Sequence, residues 1–170
     1  GALLSFLVFV QDHPPVEAIG ISIFHSIAAF NNSGFDILGG LQNLIPYQNN
    51  LLLNLTTAGL IIFGGLGFLV ILDILKKRSF RALALHSKVV IVMSAVLILL
   101  GTLLLKATEN VTWLGAFFQS VSARTAGFST YPIGSFTDAG LFVLILLMFV
   151  GASPGSTGGG IKTTTLFALL

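Results

Sequence analysis

Two stretches of this chain have the residue types to ligate a bare cation: FHSIAAFNNSGF at residues 24–35 and FQSVSARTAGF at residues 118–128. Each is a helix-compatible run that ends in small polar residues and a Gly-Phe pair, and the second is one residue shorter before its glycine. The turns are Asn31, Asn32, Ser33 and Gly34 in the first copy, and Arg124, Thr125, Ala126 and Gly127 in the second. What such turns offer is oxygen. An extended loop presents a column of backbone carbonyls that replace the hydration shell of a cation, and glycine suits the sharp, close-packed backbone this needs. A half-helix aiming its C-terminal end at the same point adds its dipole, typically ~0.3 to 1 kcal/mol to a cation and more when partly buried. Two such turns make half a ring. About four are needed to surround an ion, supplied by a dimer or by two further copies in a longer chain.

The elements that must carry these turns belong in a membrane. With 55% hydrophobic and 8% charged residues and a mean hydropathy of +0.99, the chain has too little polar surface to cover a soluble globule. The absence of cysteine excludes a disulfide framework, a thiolate metal site and a thiol nucleophile. A net charge of +2 gives no case for nucleic acid as a partner. Lys76, Lys77, Arg78, Arg81 and Lys88 crowd one linker between two apolar spans, which the positive-inside rule makes cytoplasmic. Asp12, Glu17, Asp36, Glu109 and Asp138 then fall, with both glycine turns, towards the outside, where carboxylates concentrate cations or simply sit in solvated loops.

In chain order, residues 1–10 read as the tail of a membrane helix ended by Pro14 and Pro15, and a helix over 16–29 follows. At about 1.5 Å per residue this helix is too short for a hydrocarbon core of about 30 Å, so it must turn back. Non-helical backbone at that depth survives only inside protein or along a wet cavity. Residues 36–50 climb back to the surface, and 51–75 read as one spanning helix with Gly59, Gly64, Gly65 and Gly67 on a smooth packing face. Residues 89–105 read as a further span, and Asn110 reads as the cap of a second short helix over 111–123. A third apolar segment from Ala139 is interrupted by GASPGSTGGGIK at 151–162. The apolar run continues from Thr163 to the last residue, and both ends of the chain suggest a piece of something longer.

The predicted fold is thus an all-α membrane protein of repeated membrane-pore-membrane units with one broken helix. One unit occupies 1–75, a cytoplasmic basic linker 76–88, and a second unit 89–170. Units in the same orientation can be arranged about an axis along the membrane normal, as in a pore.

The stretches FHSIAAFNNSGFD, FGGLGFLVILDIL, FFQSVSARTAGFST and GASPGSTGGGIKTTT resemble the bacterial Ktr/Trk/HKT superfamily of potassium transporters, most closely its KtrB type. The likeness covers essentially the whole chain and corresponds to most of the second and third of four units. It implies potassium uptake across the plasma membrane, with Gly34 and Gly127 as filter glycines flanked by Asn31, Asn32, Ser33, Arg124, Thr125 and Ala126. It also implies that 151–162 is an intramembrane gating loop, carried by Gly151, Ser153, Gly155, Ser156, Thr157, Gly158, Gly159, Gly160 and Lys162. Potassium would be held by the backbone carbonyls of the filter residues, sodium stimulates some such systems, and no organic cofactor is implied. Serine in place of a filter glycine goes with sodium preference in some members, whereas both turns here keep glycine. The implied partners are lipid, a second copy of the full-length chain, and a cytosolic nucleotide-binding ring (KtrA-like).

Two charges need partners at membrane depth, where an arginine or lysine costs ~2.5 to 3.5 kcal/mol on insertion scales. Arg124 is expected to pair with Asp36 or Asp138 behind the filter. Lys162 is expected to repel cations or anchor the loop, or else to snorkel to the cytoplasm. The histidines at 13, 25 and 86 lack metal spacing, and His25 reads as a hydrogen-bonded packing residue. Two readings of other classes remain, a non-conducting membrane scaffold and an intramembrane serine hydrolase using Ser153. The second rests on a literal G-x-S-x-G at 151–155, which lacks the preceding strand and any following histidine. The glycine-rich run ending at Lys162 likewise misses the P-loop spacing, because Ile161 intervenes.

Overall fold

A computed structural model describes residues 1–40 and 42–169. Leu41, inside the expected return over 36–50, and Leu170, at the end of the last apolar run, lie outside the described residues. Eight α-helices are formed among them: α1 (Ala2–Phe9), α2 (Pro15–Phe30), α3 (Leu51–Leu66), α4 (Phe68–Lys77), α5 (Leu85–Thr108), α6 (Trp113–Thr125), α7 (Asp138–Phe149) and α8 (Thr163–Leu169). Among the described residues the only β feature is an isolated bridge between Val150 and Ile161. The order helix, short helix, bent or broken helix pair occurs twice, as α1, α2, α3 with α4 and then α5, α6, α7 with α8.

Local chemistry sets most boundaries. Pro15 opens α2, where its missing N–H costs nothing. Asn50 caps α3 by accepting from the Leu53 N–H at 3.0 Å. Thr137 caps α7 through the Gly140 N–H at 3.2 Å, and Glu109, at the end of α5, accepts from the Thr137 N–H at 2.9 Å and its hydroxyl at 2.6 Å. The second short helix starts later than the sequence suggests. Thr112, not Asn110, takes the cap position by accepting from the Gly115 N–H at 3.1 Å, and its hydroxyl is also 3.2 Å from the Tyr131 hydroxyl.

The expected single helix over 51–75 is broken. At Gly67, φ is +89°, and α3 and α4 meet at 98°. The reason lies far along the chain. The Phe68 N–H donates to the Gly155 carbonyl at 3.1 Å, while Gly65 and Gly64 carbonyls accept from the N–H groups of Ser153 (3.0 Å) and Thr157 (3.3 Å). The break thus exchanges helical hydrogen bonds for bonds to the 151–162 segment. α5, with 24 residues, is about 36 Å long at the helical rise and is apolar enough to cross a membrane. α3 with α4 would be a second crossing if the bent pair is counted as one span.

Beyond α4 the basic linker is tied down by Asp73. Its carboxylate accepts from the Ala84 N–H at 2.8 Å and the Ser87 hydroxyl at 2.7 Å, capping the start of α5 from outside, and Lys77 lies 3.0 Å away. The main core gathers Phe9, Leu53, Ile61, Phe118 and Phe128, so it draws on both halves of the chain. Small residues allow the closest approaches: a Cβ on Gly101 of α5 would lie 2.4 Å from the Ser120 hydroxyl, which itself donates to the Ile98 carbonyl at 2.9 Å. Outer faces stay apolar, with Leu99, Phe142, Ile145 and Phe149 all exposed.

Candidate functional site

The two glycine turns, 93 residues apart in sequence, lie against each other. A Cβ added to Gly34 would sit 2.2 Å from the Ala126 carbonyl oxygen and 3.2 Å from the Gly127 carbonyl carbon. Both turns leave their helices in the same way. The Ser33 N–H donates to the Ala28 carbonyl at 3.0 Å and the Gly127 N–H to the Ser122 carbonyl at 3.1 Å, each reaching five residues back. Gly34 (φ +69°) and Gly127 (φ +85°) occupy the left-handed region, where L side chains are strained. The extra residue of the first turn is absorbed by Asn32, also left-handed at φ +52°. Gly127 is exposed, and a Cβ there would meet none of the described residues within 4 Å. Its backbone therefore faces open space, while Gly34 faces its counterpart.

Beside the turns lies the 151–162 segment, which is ordered by its own backbone. Gly151 donates to the Ile161 carbonyl and Ala152 to the Gly159 carbonyl, both at 3.0 Å. Gly158 packs so closely that its Cβ would come within 2.8 Å of the Thr125 Cγ2. The Thr157 hydroxyl donates to the Phe30 carbonyl, at the end of α2, at 3.1 Å. Gly155 and Gly160 have positive φ, as expected of a segment that reverses sharply.

The structure gathers Asn32, Gly34, Thr125, Ala126, Gly127, Thr157 and Gly158 into one neighbourhood. It places others less centrally. The Asn31 amide turns back onto the Ile27 carbonyl at 2.9 Å, and the Ser33 hydroxyl onto the Ala28 carbonyl at 3.1 Å. The Ser156 hydroxyl donates to the Ser153 carbonyl at 2.6 Å. Ser153 itself is fully buried with its hydroxyl 3.1 Å from that of Thr163, not beside a histidine, so the geometry gives no support to a hydrolase. Among the described residues no group of histidine and carboxylate side chains could hold a metal. His25 behaves as the packing residue expected: it is buried, bonded to the Thr57 hydroxyl at 2.8 Å and edge-on to Phe9 and Phe128.

The expected ion pair of Arg124 with Asp36 or Asp138 is not formed. The guanidinium instead donates to the Gly151 carbonyl at 2.9 Å, beside a cavity of about 20 Å³ lined also by Gly65, Ser94, Thr125 and Ala152. Asp36 is occupied elsewhere, accepting from the Leu38 N–H at 3.1 Å and the Asn43 amide at 3.2 Å. Arg124 thus ties the short helix α6 to the first residue of the 151–162 segment. Lys162 bonds within that segment, donating to the Gly158 carbonyl at 2.7 Å.

Asn43 escaped the sequence reading, where it lay in a run rich in Gly and Asn. Its amide donates to the Gly34 carbonyl at 3.3 Å, and its oxygen accepts from the N–H groups of Leu44 (2.9 Å) and Ser129 (3.1 Å). It therefore holds the exits of both turns. Asn43→Ala would leave the Ser129 N–H without its partner, at a cost of about 1 to 3 kcal/mol. The expected result is a lower melting temperature of the detergent-solubilised protein together with weaker ion discrimination; unchanged values of both would show that the turns hold themselves.

Comparison with known proteins finds relatives of the chain. The family model described as TrkH, cation transport protein, matches residues 8–94 and 83–170. The chain is 42% identical over 158 residues to Ktr system potassium uptake protein B of Vibrio alginolyticus, covering 85% of this chain and 34% of that protein. It is 38% identical to potassium/sodium uptake protein NtpJ of Enterococcus hirae, covering all of this chain and 40% of that protein. The chain thus spans well under half the length of these relatives. In fold it resembles the crystal structure of the potassium transporter TrkH from Vibrio parahaemolyticus, with a TM-score of 0.71 at 23% identity over 99% of this chain and 37% of that one.

Proposed function

The chain belongs to the TrkH family of cation transport proteins, and from that premise we propose that it forms part of a channel-like pathway for potassium uptake across the plasma membrane. Potassium passes the adjoining turns at Gly34 and Gly127, where backbone carbonyls stand in for its hydration shell. The segment 151–162 gates the cavity beside those turns. Further turns complete the ring, from additional units of a longer chain. The observation that supports this reading most is that two turns from separate repeats, each with a left-handed glycine, converge at one point with Gly127 facing open space. A scaffold would have no use for a left-handed glycine at the end of each short helix, one of them exposed.

In this reading α2 and α6 are re-entrant half-helices entering from the outside, and the linker 76–88 is cytoplasmic. Their C-terminal ends direct partial negative charge at the ion. Both glycines are retained and favour potassium. Sodium is a candidate stimulator, a role consistent with the potassium/sodium naming of the Enterococcus hirae relative. A second copy and a cytosolic nucleotide-binding ring are the proposed partners, with the ring acting on the gate from the linker side. Expression of the complete protein in cells lacking their own potassium uptake is expected to restore growth at low potassium; no rescue by correctly inserted protein would remove the proposal.

Lys162 bears on the gate. With its ammonium on the Gly158 carbonyl, it holds the 151–162 segment in its compact form and keeps a positive charge near the cation path. Lys162→Ala is expected to raise the maximal rate of potassium uptake severalfold and weaken control by the cytosolic partner. Uptake kinetics equal to wild type would count against an anchoring role.

A further inference from the structure

We propose that Asn32 is a positioning residue that couples the 151–162 segment to both glycine turns, so that the state of this segment sets ion preference as well as flux. The proposal rests on the pore reading above. It starts from one buried side chain whose two polar ends are engaged by different parts of the chain. The Asn32 amide nitrogen donates to the Thr157 hydroxyl at 2.8 Å, and its oxygen accepts from the Thr125 hydroxyl at 3.0 Å. Asn32 lies two residues before Gly34, Thr125 two residues before Gly127, and Thr157 at the middle of the 151–162 segment. Three elements distant in sequence therefore meet at one carboxamide.

The orientation of that carboxamide is fixed by its surroundings. Thr157 has one hydroxyl proton, and it goes to the Phe30 carbonyl at 3.1 Å. The hydroxyl can then only accept from Asn32, which turns the amide nitrogen towards Thr157 and leaves the oxygen for Thr125. Asn32 also holds a left-handed backbone at φ +52°, a conformation that asparagine tolerates better than most residues but that still needs support.

Movement of the 151–162 segment away from the turns would take Thr157 with it. Both the donor on the Phe30 carbonyl and the acceptor for the Asn32 amide would be lost in one step. The buried amide would be left with the Phe30 carbonyl, 3.5 Å from its nitrogen, and turning towards that carbonyl would draw its oxygen off the Thr125 hydroxyl. Thr125 leads directly into Ala126, whose carbonyl faces Gly34. The consequence is a change in the arrangement of the carbonyls at the turns, on which the preference for potassium over sodium depends.

The test uses the complete protein in liposomes, reading the half-saturating potassium concentration, the maximal rate, and the potassium-to-sodium preference. Thr157→Val removes the hydroxyl at an exposed position without changing shape, and Thr157→Ser restores it. Loss of the two hydrogen bonds of this hydroxyl is expected to shift half-saturation and ion preference by at least about fivefold in Thr157→Val, with Thr157→Ser within about twofold of wild type. Thr125→Val, which cuts the other arm, is expected to shift the same two quantities, and it decides the matter if Thr157→Val lowers the amount of inserted protein. Asn32→Ala combined with Thr157→Val is expected to do no more than Asn32→Ala alone. Variants that change only the maximal rate, with wild-type half-saturation and preference, overturn the coupling and leave the pore reading intact. Gly127→Asp that transports potassium normally in the same liposomes overturns the pore reading itself.

Discussion

Gly127→Asp and Gly127→Trp are expected to abolish potassium uptake while leaving the protein folded and inserted. The backbone there sits at φ +85°, which costs a side-chain-bearing residue about 1 to 2 kcal/mol. A cost of that size does not unfold a domain by itself. Among the described residues nothing lies within 4 Å of the position a Cβ would take, so the new side chain meets none of them and occupies the open space in front of the turn. Blockage of the path then exceeds the effect on stability. Gly34→Ala has the opposite profile, because its Cβ would collide with the Ala126 carbonyl, so stability falls along with transport. Uptake rate and melting temperature measured on the same preparations separate the two. Full uptake in Gly127→Trp would remove this turn from the ion path.

Gly64→Val is expected to be the most damaging substitution outside the turns. Even an alanine Cβ would come within 1.9 Å of the Phe30 carbonyl oxygen, far inside any tolerated contact, and 2.9 Å from the Asn32 amide. Neither obstacle is a free side-chain end. The Phe30 carbonyl closes α2 and accepts the Thr157 hydroxyl, so displacing it drives α3 away from the start of the first turn. Overpacking of a well-packed site costs about 1 to 3 kcal/mol, and here it falls on the junction of α2, α3 and the 151–162 segment. At least a tenfold loss of uptake is expected, with a lowered melting temperature, and Gly59→Ala, where no neighbour among the described residues stands within 4 Å, should behave as wild type. Normal uptake in Gly64→Val would show that this junction yields.

What the sequence made legible was local. A helix too short to span, ended by polar residues and a glycine, is readable because helix length and turn chemistry are properties of neighbouring residues. The same holds for the interruption at 151–162. The break at Gly67 was not readable, since a single glycine in an apolar helix equally marks a packing face; it breaks because Ser153, Gly155 and Thr157, from the other half of the chain, supply backbone partners. Arg124 was read by charge as needing a carboxylate, but a guanidinium near membrane depth is also served by a backbone carbonyl, and Gly151 provides one. Asn43 escaped notice because its role is to join two loops, and nothing in its neighbours points to Ser129.

The central claim is that a cation is held where the two turns meet. Crystals of the complete protein soaked in rubidium, a heavier potassium mimic, would test it by anomalous scattering. The account predicts a rubidium peak within coordination distance of backbone carbonyls beside Gly34 and Gly127, lost in Gly127→Asp. Rubidium bound elsewhere, with these turns bare, would contradict it.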